Sequence, residues 1–203
     1  EDNYQRDRDN RVVDIKLVSS QPKHLLGNNT DWAIGLYSRD QDEGLLRQYT
    51  YSIDDFVSQF DTSNRAVYGQ LDMMLSPDLT IIAGIRFENR TATYSDSDTV
   101  DHSVDENLWA GRAALQYNFD ANTMIYGLLS RGYKAGGVNS DSSLAAKDRE
   151  FDTEVMWNLE TGVKRNWLDQ RLQVQLSLFY QQREDIQIKQ SLVQSRDDSN
   201  ASN

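Results

Sequence analysis

The chain has 203 residues, of which 38% are hydrophobic and 10% aromatic, with no cysteine and a net charge of −11 at pH 7. No window approaches the roughly 18 consecutive apolar residues of a membrane-spanning helix, so a helical membrane protein is excluded. The lack of cysteine excludes a disulfide scaffold, a cysteine-ligated zinc site and a thiol nucleophile. The acidic balance argues against a nucleic-acid-binding protein.

Apolar and polar residues alternate with a period of two along about eight segments, which predicts β-strands with one apolar and one polar face. In chain order, the apolar faces of these segments begin at Val13, Trp32, Val67, Leu79, Trp109, Thr123, Val155 and Leu172. The segment from Thr123 to Lys134 is strand-like, although its two faces are not cleanly separated. No segment has the stripe of a helix, and the chain is therefore predicted to be all-β.

The predicted strands are roughly 10 to 15 residues long, against a usual length of about 5 to 6. Several of their polar faces carry full charges in mid-strand, namely Arg86, Glu88, Arg112, Glu160 and Lys164. A soluble β-protein turns its apolar face inward, whereas a membrane barrel turns it to lipid and keeps a polar lumen. About 9 to 11 tilted residues cross a bilayer, so these lengths favour the membrane barrel.

Short and long connections are predicted to alternate along the chain. The short ones are residues 76–78, 120–122 and 168–170, and the long ones are residues 38–64, 93–107 and 135–152. Short periplasmic turns and long extracellular loops are typical of an outer-membrane barrel. Phe119 and Trp167 lie beside short turns and Trp32 begins a strand, where an aromatic girdle is expected.

Three segments carry motifs that occur together in one family of membrane barrels. Residues 130–139, SRGYKAGGVN, resemble a strand that ends in Gly-Tyr-Lys and leads through Gly-Gly and Asn into an extracellular loop. Residues 66–88 resemble the repeated hairpin that ends in Gly-x-Arg, here Gly84 and Arg86. Residues 154–188 resemble the hairpin after the loop, through Trp157, Glu160, Gly162, Lys164, Leu168, Asp169, Phe179, Tyr180, Asp185 and Gln187.

Through these motifs the chain resembles TonB-dependent outer-membrane receptors. The resemblance covers about residues 13–188 and implies an antiparallel, up-and-down transmembrane β-barrel of about 22 strands around a plug. Residues 1–203 are then expected to form one partial barrel domain, about eight strands or a third of the wall, without the plug or the TonB box. The implied protein is a receptor in the outer membrane of a Gram-negative bacterium that takes up ferric siderophores or similar scarce ligands. Its expected partners are that ligand, the TonB complex acting through the missing N-terminal part, and outer-membrane lipid. No enzyme activity, cofactor, metal site or nucleic-acid partner is expected.

Six residues are candidate ligand-binding residues. Tyr133 and Lys134 stand at the mouth of a predicted long loop. The in-strand charges Arg86, Arg112, Glu160 and Lys164 contact ligand or plug on one interpretation, and on the other they line a wet lumen in cross-strand pairs.

Other polar features have simpler interpretations. His24 and His102 fall in predicted connections as solvated side chains, since neither has a spaced partner for a metal. The acidic run at residues 96–106 is either a calcium-binding loop or a solvated loop.

Two rival architectures remain open at this point. A self-contained eight-stranded outer-membrane barrel with a structural or adhesive role predicts that the first and last strands pair with each other. A soluble lipocalin-like binder predicts that Ile81, Ile85, Val174 and Leu176 point inward.

Overall fold

The structure, a computed structural model, describes residues 2–21, 23–25, 27–51, 54–139 and 149–188. Its strands are β1 (Asp2–Val18), β2 (Lys23–Leu25), β3 (Asn28–Tyr49), β4 (Phe56–Ser76), β5 (Leu79–Asp96), β6 (Asp101–Asp120), β7 (Thr123–Lys134), β8 (Gly137–Val138), β9 (Glu150–Phe151), β10 (Glu154–Trp167) and β11 (Leu172–Glu184). No helix in these ranges is long and apolar enough to cross a membrane.

One antiparallel sheet contains all eight long strands in the order β1-β3-β4-β5-β6-β7-β10-β11, and β2 adds to β3. The predicted count of about eight strands and the all-β class are confirmed. Within the described ranges, β1 pairs only with β3 and β11 only with β10, so the sheet does not close on itself. The self-contained eight-stranded barrel is therefore wrong, because that architecture needs β1 and β11 to pair.

Tight turns join the strands at one edge of the sheet, which we call the turn end. Ser76 pairs with Leu79, Asp120 with Thr123 and Trp167 with Leu172, as the short connections predicted. Residues 168–170 all adopt positive φ angles, which lets the chain reverse within a few residues. The opposite edge of the sheet is the loop end.

Two of the predicted long connections are wrong, because most of their residues belong to paired strands. Residues 38–49 continue β3 and residues 56–64 continue β4, with Asp42 opposite Asp61. Only residues 97–100 separate β5 from β6. Backbone hydrogen bonds hold these polar segments in the ladder, and the ladder needs no apolar face. The third connection holds the short pair β8 and β9, and residues 140–148 lie outside the described residues.

The register places the alternating residues on two distinct faces, because directly opposed residues share a face. On the apolar face, Ile85 is 47% and Leu159 57% exposed, whereas Glu88 on the polar face is 9% exposed. Val174 and Leu176 are also exposed, and Ile81 is half-buried. A soluble lipocalin-like binder is therefore wrong for this chain, because it would shelter the apolar face and expose the polar one.

Side chains on the polar face reach over intervening strands. The Tyr68 hydroxyl on β4 donates a 2.9 Å hydrogen bond to Asp14 on β1, passing over Gly35 of β3. A Cβ at Gly35 would overlap the Tyr68 ring, so a glycine is needed for this close approach. The polar face therefore brings together residues from strands that are not neighbours, and this positions the candidate site.

Candidate functional site on the polar face

A polar cluster connects β3, β4, β5 and β7 on this face. Arg86 and Glu88 stand two residues apart on β5, and the Arg86 Nε donates a 2.9 Å hydrogen bond to the Glu88 carboxylate. Asn64 donates a 2.7 Å hydrogen bond to the same carboxylate. The Tyr133 hydroxyl, at the end of β7 beyond its pairing with β6, approaches both Arg86 and Glu88. The guanidinium carbon of Arg86 lies 4.8 Å from the centre of the Tyr37 ring.

Arg112 lies beside this cluster without joining it. Its Nη2 donates a 2.7 Å hydrogen bond to Gln70, reaching from β6 over Gly84 of β5 to β4. Arg86 and Arg112 line one concavity of about 620 Å³. The other polar residues that line it are Asp14, Lys16, Tyr37, Tyr68, Gln70, Ser130 and Arg131. Two of the six predicted site residues therefore share this concavity, and Tyr133 contacts it through Arg86.

Glu160 and Lys164 form a separate group nearer the turn end. The Tyr126 hydroxyl donates a 2.5 Å hydrogen bond to Glu160, and the Lys164 ammonium lies 5.9 Å from the centre of the Tyr126 ring. Tyr126 lies opposite Gly162, directly between these two residues. The arrangement fits the interpretation in which in-strand charges line the face in pairs with their neighbours.

Lys134 belongs to a third group, at the loop end of β7 and β10. It lies opposite Glu154, which is buried and accepts hydrogen bonds from Arg183 and from the Gln187 backbone N–H. These donors, led by the Gln187 N–H and helped by the nearby Lys134 charge, hold the pKa of the Glu154 carboxyl below its usual range. The Gln187 amide also donates to the carbonyls of residues 134, 135 and 152.

A fourth group anchors the base of the connection between β7 and β10. One Glu106 oxygen accepts a 3.0 Å hydrogen bond from the Gly136 N–H and a second one from the Thr153 hydroxyl. Its other oxygen pairs with Arg90 at 2.9 Å, and the two side chains are only 11% and 14% exposed. Arg90 also donates to the Gly136 carbonyl. We call Arg90, Glu106, Gly136 and Thr153 the loop anchor.

The two histidines are placed differently from the prediction, since neither lies in a connection. His24 is in β2, where it pairs with Asn29, and nothing is described of its side chain. His102 is in β6 opposite Tyr94, with its Nε2 at 3.5 Å from Glu150 of β9. Most of the acidic run at residues 96–106 also belongs to paired strands, because residue 96 ends β5 and residues 101–106 lie in β6; only residues 97–100 form a turn between them.

Sequence reasoning named Glu160 as a candidate and Glu88 only as a charge in mid-strand, and it missed Glu106 and Glu154. The spacing of Arg86 and Glu88 was a usable signal, because residues two apart share a strand face. No comparable signal marks Glu106 or Glu154, since their partners are set by strand register and by distant parts of the chain. The whole arrangement suits binding: guanidinium and phenol donors surround an open concavity, and the acidic groups hold these donors in place.

A family model described as TonB dependent receptor-like, beta-barrel, matches residues 1–203. Among solved structures, the ferric yersiniabactin uptake receptor FyuA of Yersinia pestis is similar at a TM-score of 0.76 and 20% identity, covering 92% of this chain. The alcaligin outer-membrane receptor FauA of Bordetella pertussis is similar at a TM-score of 0.72 and 19% identity, covering 91%. The copper transporter OprC is similar at a TM-score of 0.63 and 14% identity, covering 87%.

These likenesses concern the barrel wall. The chain spans only 30% of FyuA, 31% of FauA and 30% of OprC. At such sequence identities these structures establish the fold alone, and the three proteins are named for different cargoes.

Proposed function

Because the chain belongs to the TonB-dependent receptor β-barrel family, we propose that it forms about a third of the barrel wall of an outer-membrane receptor in a Gram-negative bacterium. The receptor takes up a ferric siderophore or a similarly scarce chelate, and the energy comes from the TonB complex acting through a segment outside this chain. The barrel performs no chemical step. The wall encloses the path, and the polar face supplies contacts that select the ligand.

The inverted distribution of polarity carries this proposal. The apolar face is exposed over a band that tryptophans border, with Trp157 towards the loop end and Trp167 at the turn end. Trp167 is ten residues after Trp157 on the same strand, which is roughly 33 Å along the strand at about 3.3 Å per residue. A strand tilt of about 40° reduces this to roughly 25 Å along the barrel axis. An outer-membrane barrel presents an apolar band about 25 Å tall between aromatic girdles, so the two values agree.

The ligand class follows from the donors on the polar face. Arg86, Arg112, Tyr37 and Tyr133 present guanidinium and phenol groups, which suit a chelate rich in anionic oxygen atoms. Tyr133 and Lys134 stand nearest the loop end, where a ligand enters. A receptor for a bare metal ion would instead need a cluster of ligating side chains.

The test is uptake by a strain that lacks the complete gene and is complemented with variants. We expect uptake of radiolabelled iron from at least one ferric siderophore to stop in the deletion strain and return with the wild-type gene. Arg86→Gln should lower this uptake about tenfold at equal receptor abundance, the size expected for losing charged hydrogen bonds. Arg171→Gln, which removes the same charge at a turn, is the matched control and should leave uptake unchanged.

Unchanged uptake of every ferric complex in the deletion strain would overturn the siderophore proposal. Loss of copper uptake alone would replace the proposed cargo with a metal ion.

A further inference from the structure

The apolar face carries an unusual pair of charges, one at each border of the band. Between the rows of Trp157 and Trp167, the only side chains charged at neutral pH that the described strands place on this face are Arg131 and Arg165. Arg131 lies opposite Trp157 towards the loop end, and Arg165 lies two residues before Trp167 at the turn end. An arginine facing lipid is costly at the bilayer centre and tolerable only near the borders, where its head reaches polar surroundings.

The two arginines differ in their counter-charges. Arg165 stacks on Trp167 at 5.6 Å and acts electrostatically on the Asp120 carboxylate in the neighbouring turn. Arg131 has no carboxylate of the described residues within 4.0 Å. Among the residues that the structure describes, the positive charge at the loop-end border therefore has no carboxylate at contact distance.

Aromatic rings hold Arg131 in a fixed position. Its guanidinium carbon lies 4.1 Å from the centre of the Trp109 ring and 6.0 Å from that of Trp157, and the guanidinium donates to the Trp109 carbonyl. The two indoles are in edge-to-face contact at 5.9 Å, and both are more than a third exposed. The stacking leaves other N–H donors of the guanidinium free, because arginine carries five of them.

A hollow opens next to this group. It measures about 400 Å³ and is lined by Trp109, Arg131, Tyr133 and Val155, with Asp152, Thr153 and Glu106 towards the loop end. The Glu106 carboxylate in this lining is already paired with Arg90, and Asp152 lies on the loop-end side of the hollow. The indole rings and the guanidinium of Arg131 match the two parts of a lipid, the acyl chains and the anionic headgroup.

We propose that Arg131, held between Trp109 and Trp157, is a binding site for the phosphate headgroup of a lipid in the outer leaflet. The apolar band continues below the site, so the acyl chains of that lipid lie against the barrel while the guanidinium donates to its phosphate. The inference rests on the proposed outer-membrane placement of the barrel. It is independent of which ligand the receptor transports.

Native mass spectrometry of the complete receptor in detergent tests the site, with lipid A as the phosphate-bearing probe and its phosphate-free form as the comparison. Wild-type receptor should retain lipid A and lose about tenfold in affinity for the phosphate-free form. Arg131→Gln should bind lipid A about tenfold more weakly, and Arg131→Lys should recover part of the loss. Arg165→Gln is the matched control, since it removes the same charge from the opposite border, and should leave lipid A binding unchanged.

Equal binding of the two lipid forms, or equal losses in Arg131→Gln and Arg165→Gln, would overturn the proposal. Full displacement of lipid A by inorganic phosphate at the same concentration would show that the site binds phosphate alone, and this would refute the proposal that a lipid occupies it. Iron uptake is measured in the same variants. Retained uptake with no lipid effect refutes only this site, whereas lipid binding without any ligand uptake refutes only the transport proposal.

Discussion

Replacing Glu106 should release the base of the connection between β7 and β10 without unfolding the barrel. The Glu106 side chain contacts all three other residues of the loop anchor, through Arg90, the Gly136 N–H and the Thr153 hydroxyl. In Glu106→Ala, Arg90 loses its carboxylate partner in a nearly buried position, and the Gly136 N–H keeps only its 3.2 Å contact with Thr153. The change is local, because the ladder between β5 and β6 does not depend on this side chain.

The size of the effect follows from the burial of the pair. Breaking a buried ion pair by removing one partner costs about 3 to 5 kcal/mol. We take the lower end, since both side chains keep some exposure at 11% and 14%. About 3 kcal/mol corresponds to a factor of roughly one hundred in the equilibrium for opening the base of the connection.

Hydrogen exchange read by mass spectrometry on the complete receptor measures this equilibrium directly. Peptides that cover residues 135–139 and 149–153 should exchange about a hundredfold faster in Glu106→Ala, while peptides from the rest of β6 stay protected. Asp105→Asn is the matched control. This neighbour faces the other side of the strand and contacts only Asn89 and Thr91, so the connection should keep its protection. Unchanged exchange in Glu106→Ala, or an equal increase in Asp105→Asn, would refute the reasoning.

Two further predictions concern the faces and the pH dependence. Leu115→Arg places a charge in the middle of the exposed apolar face and should destabilise the folded barrel by about 2 to 4 kcal/mol. Gln116→Arg places the same charge one residue further along, on the polar face, and should leave the stability unchanged. Urea unfolding of the complete receptor in lipid vesicles measures both variants, and equal losses of stability would contradict the assignment of the faces. Folding lowers the pKa of the Glu154 carboxyl below its value in the unfolded chain, which is about 4.3. The ionised carboxylate therefore stabilises the fold fully above this unfolded pKa, and the contribution is lost as the pH falls through the lower pKa of the folded state. The difference in stability between wild type and Glu154→Gln should therefore be constant near neutral pH and shrink below about pH 4; a difference that does not change with pH would show that the charge of Glu154 contributes nothing.

The strands within the apolar band were predictable because only there do the two faces meet different surroundings. From Leu79 to Phe87 every second residue faces the exposed apolar side, so the period of two is visible in the sequence. Beyond Phe87 both faces of β5 carry polar residues, such as Asn89 and Thr91, and the period disappears. The strand nevertheless continues to Asp96, because the hydrogen bonds of the ladder join backbone groups and form whether the side chains are polar or apolar. This is why the polar half of each hairpin was predicted as a loop.

The candidate site was partly predictable for a related reason. A charge in mid-strand is visible in the sequence, so Arg86, Arg112, Glu160 and Lys164 were found and are all placed in polar contacts. Their partners were not found, since a contact such as that of Arg86 with Tyr133 joins strands separated by β6. Such pairs depend on the register of three strands and on the curvature of the sheet. Whether these residues contact ligand stays a prediction.

The length of the strands connects the fold to the proposed uptake. β3 has 22 residues and is therefore about 70 Å long at about 3.3 Å per residue. A tilt of about 40° reduces this to roughly 55 Å along the barrel axis, of which lipid covers only about 25 Å. More than half of this hairpin therefore stands beyond the bilayer as a paired wall. The loop anchor, which fixes both ends of one connection to β5 and β6, belongs to the same end of the sheet. In the proposed receptor a ligand first contacts the part of the paired strands that extends beyond the bilayer, and it then reaches the cluster of Arg86, Glu88 and Tyr133 further inside the barrel. Selectivity then depends on a surface that the strands hold in place before any ligand binds. Disrupting the loop anchor should weaken the first contact of the ligand at the loop end, while the contacts with the cluster of Arg86, Glu88 and Tyr133 stay intact.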